Sequence, residues 1–349
     1  MILEVLRLIV VSQAVLIAVL VVGSLTHSFV TEATRRRRQP AISQATSMLA
    51  RLLSGQATVE EAVVALQDLP VTVRGEVLGS LVTTVRGEQQ HLLAIVAASC
   101  GVVEHAVGWT QSRRPGRRLR GTRILRRVGV APPELTTLLE DPWPPVRAEA
   151  SRLVIHLTAP RLVRQLIGRL ADPDSGVRFA AKDALVRCGA SVVTEVVEEL
   201  GADELTTEVR AALLEVLVHV ADSSHLPVAR RFSSDHDPPV RRGAARLSAA
   251  VGGTAGVTVL STLLTDPDDG VRAAAIDGFG QLGYWPAAPT IAERLSDPAW
   301  VVRRAAGGAL RRMGAPGRLF LRRALDHEDP YARDMARQVL DLPELRAAG

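Results

Sequence analysis

Histidine, cysteine and carboxylate are the side chains from which a metal centre or a nucleophilic site would be built, and here they are thinly placed. The 349-residue chain holds eight histidines and two cysteines. Cys100 and Cys188 stand outside any Cys-x-x-Cys or metal-ligand spacing, so neither a zinc site nor a disulfide framework is expected. His156 and His219 each follow an arginine, Arg147 and Arg210, by nine residues. The segment between them carries Arg187 at that place, so the two histidines read as exposed helix residues rather than a ligand pair. Glu60-Glu61 and Glu198-Glu199 fall on helix surfaces, at no spacing diagnostic of general acid–base work. Gly252-Gly253 and Gly307-Gly308 do not form a phosphate-cradling loop, and no Ser-His-Asp order or dinucleotide fingerprint occurs. No catalytic residue, metal ligand or cofactor is expected.

Arginine is the side chain with chemistry to spare. Lys+Arg totals 42 against 37 Asp+Glu, a net charge of +5, and Lys182 is the single lysine. A guanidinium offers paired donors that match carboxylates and phosphates. Arg113, Arg114, Arg117, Arg118, Arg120, Arg123, Arg126 and Arg127 crowd one stretch without an acidic neighbour. That stretch suits a solvated helix face, an acidic or membrane-surface contact, or nucleic acid.

The arginines also keep time. Arg118, Arg147, Arg178, Arg210, Arg241, Arg272, Arg303 and Arg333 follow one another at 29, 31, 32, 31, 31, 31 and 30 residues. Each clear copy opens with an aspartate turn, such as Asp172-Pro173-Asp174-Ser175-Gly176 or Asp266-Pro267-Asp268-Asp269-Gly270. Val-Arg and an alanine-rich stretch follow, and a glycine closes the copy. Such a period marks stacked repeats rather than one enclosed globule. Leu162, Val163, Leu166, Ile167 and Leu170 predict an apolar helix face before the turn; Val177, Ala181, Ala184, Leu185 and Cys188 predict a second one after it. Gly189 is placed to end the second helix.

The same pattern, helix, Asp-Pro turn, Val-Arg, alanine-rich helix and glycine, resembles the HEAT repeat in its short bacterial, phycobilisome-lyase-like form. The resemblance is close over residues 116 to about 340 and loose over 41–115. It implies an all-α, right-handed α-solenoid of helical hairpins. It also implies that turn aspartate and second-helix arginine form a structural ladder between units, carried here by Asp141/Arg147, Asp172/Arg178, Asp266/Arg272 and Asp297/Arg303. The Arg210 unit departs, with Asp203 one residue out of register, and the Arg241 unit shifts its Asp-Pro to Asp237-Pro238. Related enzymes exist: deoxyhypusine hydroxylases hold iron with several His-Glu pairs, of which this chain has only His327-Glu328, in a turn. A lyase- or hydroxylase-like enzyme is therefore the weakest reading.

What varies between copies carries the functional expectation. Positions five and nine after the repeat arginine point away from the buried stripe. They hold Arg123, Arg152 and Arg246, and Arg127, His156, Arg187, His219 and Arg312, interrupted by Asp183, Glu215 and Asp277. This reads either as solvated helix surface or as a partner groove. Trp143 and Trp300, in turns before the Val-Arg helices, either cover the next unit or face a partner.

At the N-terminus, Leu8 to Thr26 is uncharged and apolar, and Arg35, Arg36, Arg37 and Arg38 follow. Nineteen helical residues reach about 28 Å, close to a bilayer's hydrocarbon core. The cations behind the span place the repeats on the cytoplasmic side. The expected organisation is an anchor with its basic stop-transfer segment at 1–39, a degenerate helical start at 40–115 and a regular array at 116–349. The function expected is a noncatalytic, membrane-tethered scaffold for a protein partner at the bilayer, with a membrane glycosyltransferase complex as one such partner. A nucleic-acid-binding solenoid using Arg113 to Arg127 is the alternative.

Overall fold

The computed structural model describes residues 39–82, 84–85, 87–132, 134–154, 159–202 and 204–342. The expected span at 8–26, Arg35 to Arg38, His156 and Asp203 lie outside the described residues. Among the described residues, no single helix is long and apolar enough to cross a membrane. The chain divides into two compact units, residues 1–132 and 133–349. The division falls after the arginine-rich helix, where the sequence pattern had put a boundary before it.

In the first unit, α1 runs through residues 39–53, followed by α2 (Val59–Gln67), α3 (Val71–Val82), α4 (Glu88–Ser99), α5 (Val102–Thr110) and α6 (Pro115–Val128). Thr58 opens α2 with the capping box that Thr58 and Glu61 predict: each side chain takes the other's backbone N–H. The helices that carry Arg74 and Arg118, α3 and α6, pack on each other, and α5 packs on α6 as the first helix of a hairpin. Helix α4 is an insertion between the hairpins. It explains why Arg74 and Arg118 are not one repeat apart. Gly101, in the left-handed region at φ 73°, turns the chain from α4 into α5. Those two helices are apolar enough together to raise a membrane question, but they bend by 75°.

The second unit is a stack of hairpins. First and second helices alternate as α7 (Leu135–Leu139) and α8 (Pro144–Leu153), α9 (Pro160–Gly168) and α10 (Ser175–Cys188), α11 (Val193–Leu200) and α12 (Thr207–Val218). They continue as α13 (Leu226–Phe232) and α14 (Pro238–Val251), α15 (Gly253–Leu263) and α16 (Asp269–Leu282), α17 (Ala288–Glu293) and α18 (Trp300–Arg312), then α19 (Ala315–Ala324) and α20 (Pro330–Leu340). Each second helix packs on the second helix of the next hairpin, from α8 through α20.

The repeat valine is the pin of this packing. Val146, Val177, Val209, Val240, Val271 and Val302 are all buried, as are Ala181, Ala245 and Ala275. A buried valine contributes on the order of 1.5–3 kcal/mol over an exposed one. The small residues permit a close approach of backbones. At Gly280 of α16, an added Cβ would meet the Ala309 Cα of α18 at 2.8 Å. The closing glycines sit eleven residues after their arginines, and Gly129, Gly189, Gly252, Gly283 and Gly314 all take positive φ. The Arg210 unit has no such glycine, and α12 closes at His219 instead.

Candidate functional site

The turn aspartate and repeat arginine meet, but not as their six-residue spacing suggested. Within a unit, Arg147 Nη1 donates to the backbone carbonyl of Asp141 at 2.8 Å, not to its carboxylate. Arg178, Arg272 and Arg303 treat Asp172, Asp266 and Asp297 in the same way, at 2.8–2.9 Å. The carboxylate belongs to the arginine of the preceding unit, 25 residues earlier. Arg147 Nε and Nη2 hold both oxygens of Asp172 at 2.8 and 2.7 Å. Arg241 holds Asp266, and Arg272 holds Asp297, with the same two-pronged geometry at 2.7–3.0 Å. One guanidinium therefore closes its own turn and clamps the next. The ladder expected between Asp141/Arg147, Asp172/Arg178, Asp266/Arg272 and Asp297/Arg303 is corrected in its pairing: those partners share a carbonyl bond, and the ion pairs run between units.

The carboxylate also folds its own loop. Asp172 Oδ1 accepts from the Asp174 N–H at 3.0 Å, and Asp174 in turn caps α10 by accepting from the Val177 N–H. Asp141, Asp266 and Asp297 make the matching turn bonds. Burial by itself would raise the carboxyls of Asp172, Asp266 and Asp297. The arginine hydrogen bonds, turn N–H groups and nearby positive charge more than offset it, and all three lie below the ordinary carboxylate value. Hydrogen bonding to these carboxylates raises Arg147, Arg241 and Arg272 in turn. The ladder loosens where the sequence is irregular: Arg210 reaches Asp235 only at 3.7 Å. At the far end, the Arg303 guanidinium lies over the Tyr331 ring, 4.6 Å from its centre.

With these arginines committed, the candidate partner residues can be placed. In the second unit, Arg187, His219, Arg246 and Arg312 are exposed and Arg152 is half-buried, on the side of the second helices away from the core. Most are engaged. Arg152 approaches Glu149 at 3.6 Å, Arg187 approaches Asp183 at 3.9 Å, and His219 Nδ1 meets the Glu215 carbonyl at 2.9 Å. Arg312 Nη2 donates to Asp277 at 2.6 Å, joining α18 to α16. Lys182 reaches Glu215 at 3.0 Å, joining α10 to α12. This part of the second-helix face is laced by charge pairs rather than left uniformly basic. Arg246 differs: among the described residues it makes no ion pair or hydrogen bond.

Arg246 lines a depression of about 320 Å³ in that face. Its floor is α16, with Gly270, Ala273, Ala274 and Gly278; its walls are Arg242 and Arg246 of α14 and Arg304 of α18. Sequence reasoning passed over Arg242 and Arg304. The signal was present as a doubled arginine, Arg241-Arg242 and Arg303-Arg304, in which the first residue enters the ladder and the second faces solvent. In the first unit, Arg123 and Arg127 line a depression of about 430 Å³ with Arg120, Glu76 and the half-buried Trp109.

Both turn tryptophans reach the surface. Trp143 is 36% exposed as the N-cap of α8, and Trp300 is 57% exposed as the first residue of α18. The Arg304 guanidinium stacks over the Trp300 ring at 5.0 Å. Among the described residues, no group of three or more histidine, cysteine or acidic side chains could hold a metal ion.

A family model described as HEAT repeats matches residues 132–218, 204–277 and 257–341. No curated protein matches the chain. Among solved structures, an engineered protein is similar at 19% identity, over 85% of this chain and 98% of its own, with a TM-score of 0.37. The complex of CpcE and CpcF of phycocyanin lyase from Nostoc is similar at 22% identity, over 68% and 93%, with a TM-score of 0.34. A mutant of Kap121p is similar at 14% identity, over 90% of this chain and 38% of its own, with a TM-score of 0.43. The repeat matches span more than half of the sequence, and with the stacked hairpins they settle the family: the chain belongs to the HEAT repeats.

Proposed function

We propose that this protein is a noncatalytic scaffold, tethered to a membrane by residues 8–26, whose second-helix face binds a protein partner at the bilayer. The observation that carries the reading is the division of labour among arginines. One set is locked in the ladder and fixes the hairpins; a second set stands outward around a small-residue depression. A surface held rigid before binding loses little conformational entropy on association. Tethering raises the effective concentration near membrane partners without strong individual contacts. The uncharged segment and the Arg35 to Arg38 run support a single-pass arrangement with the repeats in the cytoplasm. A membrane glycosyltransferase complex is the specific partner class suggested by the resemblance of anchored HEAT-like proteins.

Affinity purification of the full chain from gently solubilised membranes tests this. One partner should copurify with the wild type and be lost when Arg187, Arg246 and Arg312 are changed to serine. Recovery of the chain alone under gentle solubilisation contradicts the reading.

A second reading, nucleic-acid binding, draws on one observation: Arg120, Arg123 and Arg127 project from α6 beside Trp109, a ring on which a base can stack. It requires salt-dependent binding of nonspecific DNA, and absence of binding at low salt removes it.

A further inference from the structure

The depression over α16 has the charge and shape of a receptor for one kind of chain. Its walls bring Arg242 and Arg246 from one side and Arg304 from the other. Arg242 and Arg246 lie one helical turn apart and make no ion pair or hydrogen bond among the described residues. Asp277, the single carboxylate of the lining, is already taken by Arg312 at 2.6 Å. The lining therefore keeps an uncompensated positive charge. Arg304 is held in place by stacking on Trp300, so part of its ordering precedes any binding.

The floor is low because of its residue types. Following the position just after the repeat arginine, the series Arg242, Ala273, Arg304 puts a methyl group between two guanidiniums. Gly270 adds nothing above the backbone, and the Arg242 Nη1 lies 3.1 Å from where its Cβ would stand. A backbone can lie on such a floor with its side chains directed to the walls.

The basic window is short. On the α12 side stands Glu215, paired with Lys182, and on the α20 side Asp334, beside Arg337, in the same face positions as the wall arginines. A nucleic-acid backbone tracking along the second helices would meet these charge pairs in place of unpaired guanidiniums; a short segment would not. Exposed Trp300 beside Arg304 adds the aromatic and guanidinium pairing common at protein-interface centres.

We infer that the depression walled by Arg242, Arg246 and Arg304 binds an extended acidic segment of a partner protein. This rests on the scaffold reading and names the chemistry of its partner. In an extended chain, alternate side chains share a face about 6.6 Å apart. Acidic residues at alternate positions thus face Arg242 and Arg246 on one wall, and an acidic residue between them faces Arg304 on the other.

The test is fluorescence anisotropy of a labelled peptide carrying consecutive glutamates on the full chain in detergent. Arg242→Ser, Arg246→Ser and Arg304→Ser should each weaken binding by about tenfold, the scale of one charge-assisted contact. Ala273→Arg keeps every wall arginine and adds positive charge, yet should abolish binding by filling the floor. Circular dichroism checks that each variant retains its helices, and the exposed arginines give two further single variants should one fail. Peptide binding unchanged in Ala273→Arg, or a single-stranded oligonucleotide bound in preference to the peptide, overturns the inference. If a variant with serine at Arg242, Arg246 and Arg304 together still captures the membrane partner, the scaffold reading stands and this site is not its contact. If the peptide binds here but no partner is captured, the site stands and the scaffold reading fails.

Discussion

At the residue scale, the repeat arginine does two jobs with one side chain. Nη1 ties the turn of its own hairpin, while Nε and Nη2 take the carboxylate of the next. Removing the acid therefore leaves a half-buried guanidinium without its partner and unties a turn. Asp172→Ala should cost about 3 kcal/mol, as breaking buried ion pairs does. Asp172→Asn, which keeps an oxygen for the Asp174 N–H, should cost about 1–2 kcal/mol. Thermal unfolding of the two variants checks the order; equal losses would mean that the oxygen asparagine keeps contributes nothing and the charge carries the whole effect. The pH dependence has a fixed sign. The carboxyls of Asp172, Asp266 and Asp297 lie lower in the folded chain than in the unfolded one, where they are near ~3.9. Their contribution is complete above that unfolded value and is lost as pH falls through the lowered folded values. Stability measured from neutral pH downward should stay level for these groups and then drop in acid, and Asp172→Asn should flatten part of the drop.

At the element scale, most of the architecture was legible, because repeats write their phase into the sequence many times. The arginine period, buried valines and closing glycines located the second helices from α6 to α20. Three things were not legible. Helix α4 is an insertion without a repeat signature. The ladder's true partner lies 25 residues away, and that distance becomes visible only once hairpins are stacked. Arg242 and Arg304 were absorbed into the motif, because a doubled arginine does not reveal which member turns outward. The glycines make a sharper test of the packing. Gly280→Ala places a methyl 2.8 Å from Ala309 Cα and from Arg312 Nε, so it should cost about 1–3 kcal/mol and disturb the Arg312–Asp277 contact. Gly168→Ala meets nothing within 4 Å in α9 and should raise stability by up to about 1 kcal/mol. Unfolding midpoints that move in the same direction would contradict this account of helix approach.

For the whole molecule, the expectation concerns where it works and what it holds. With residues 1–39 present, the chain should remain with membranes through an alkaline wash; without them it should be released. The central claim is that the outward face of the second helices, fixed by the ladder beneath it, binds a membrane partner. Quantitative mass spectrometry of crosslinked membranes tests it most directly, comparing the wild type with a variant carrying serine at Arg187, Arg246 and Arg312. The account predicts one partner enriched at near-equal amount with the wild type and lost from the variant, while the variant stays folded and membrane-bound. A partner retained undiminished by the variant, or none crosslinked to the wild type, would contradict it.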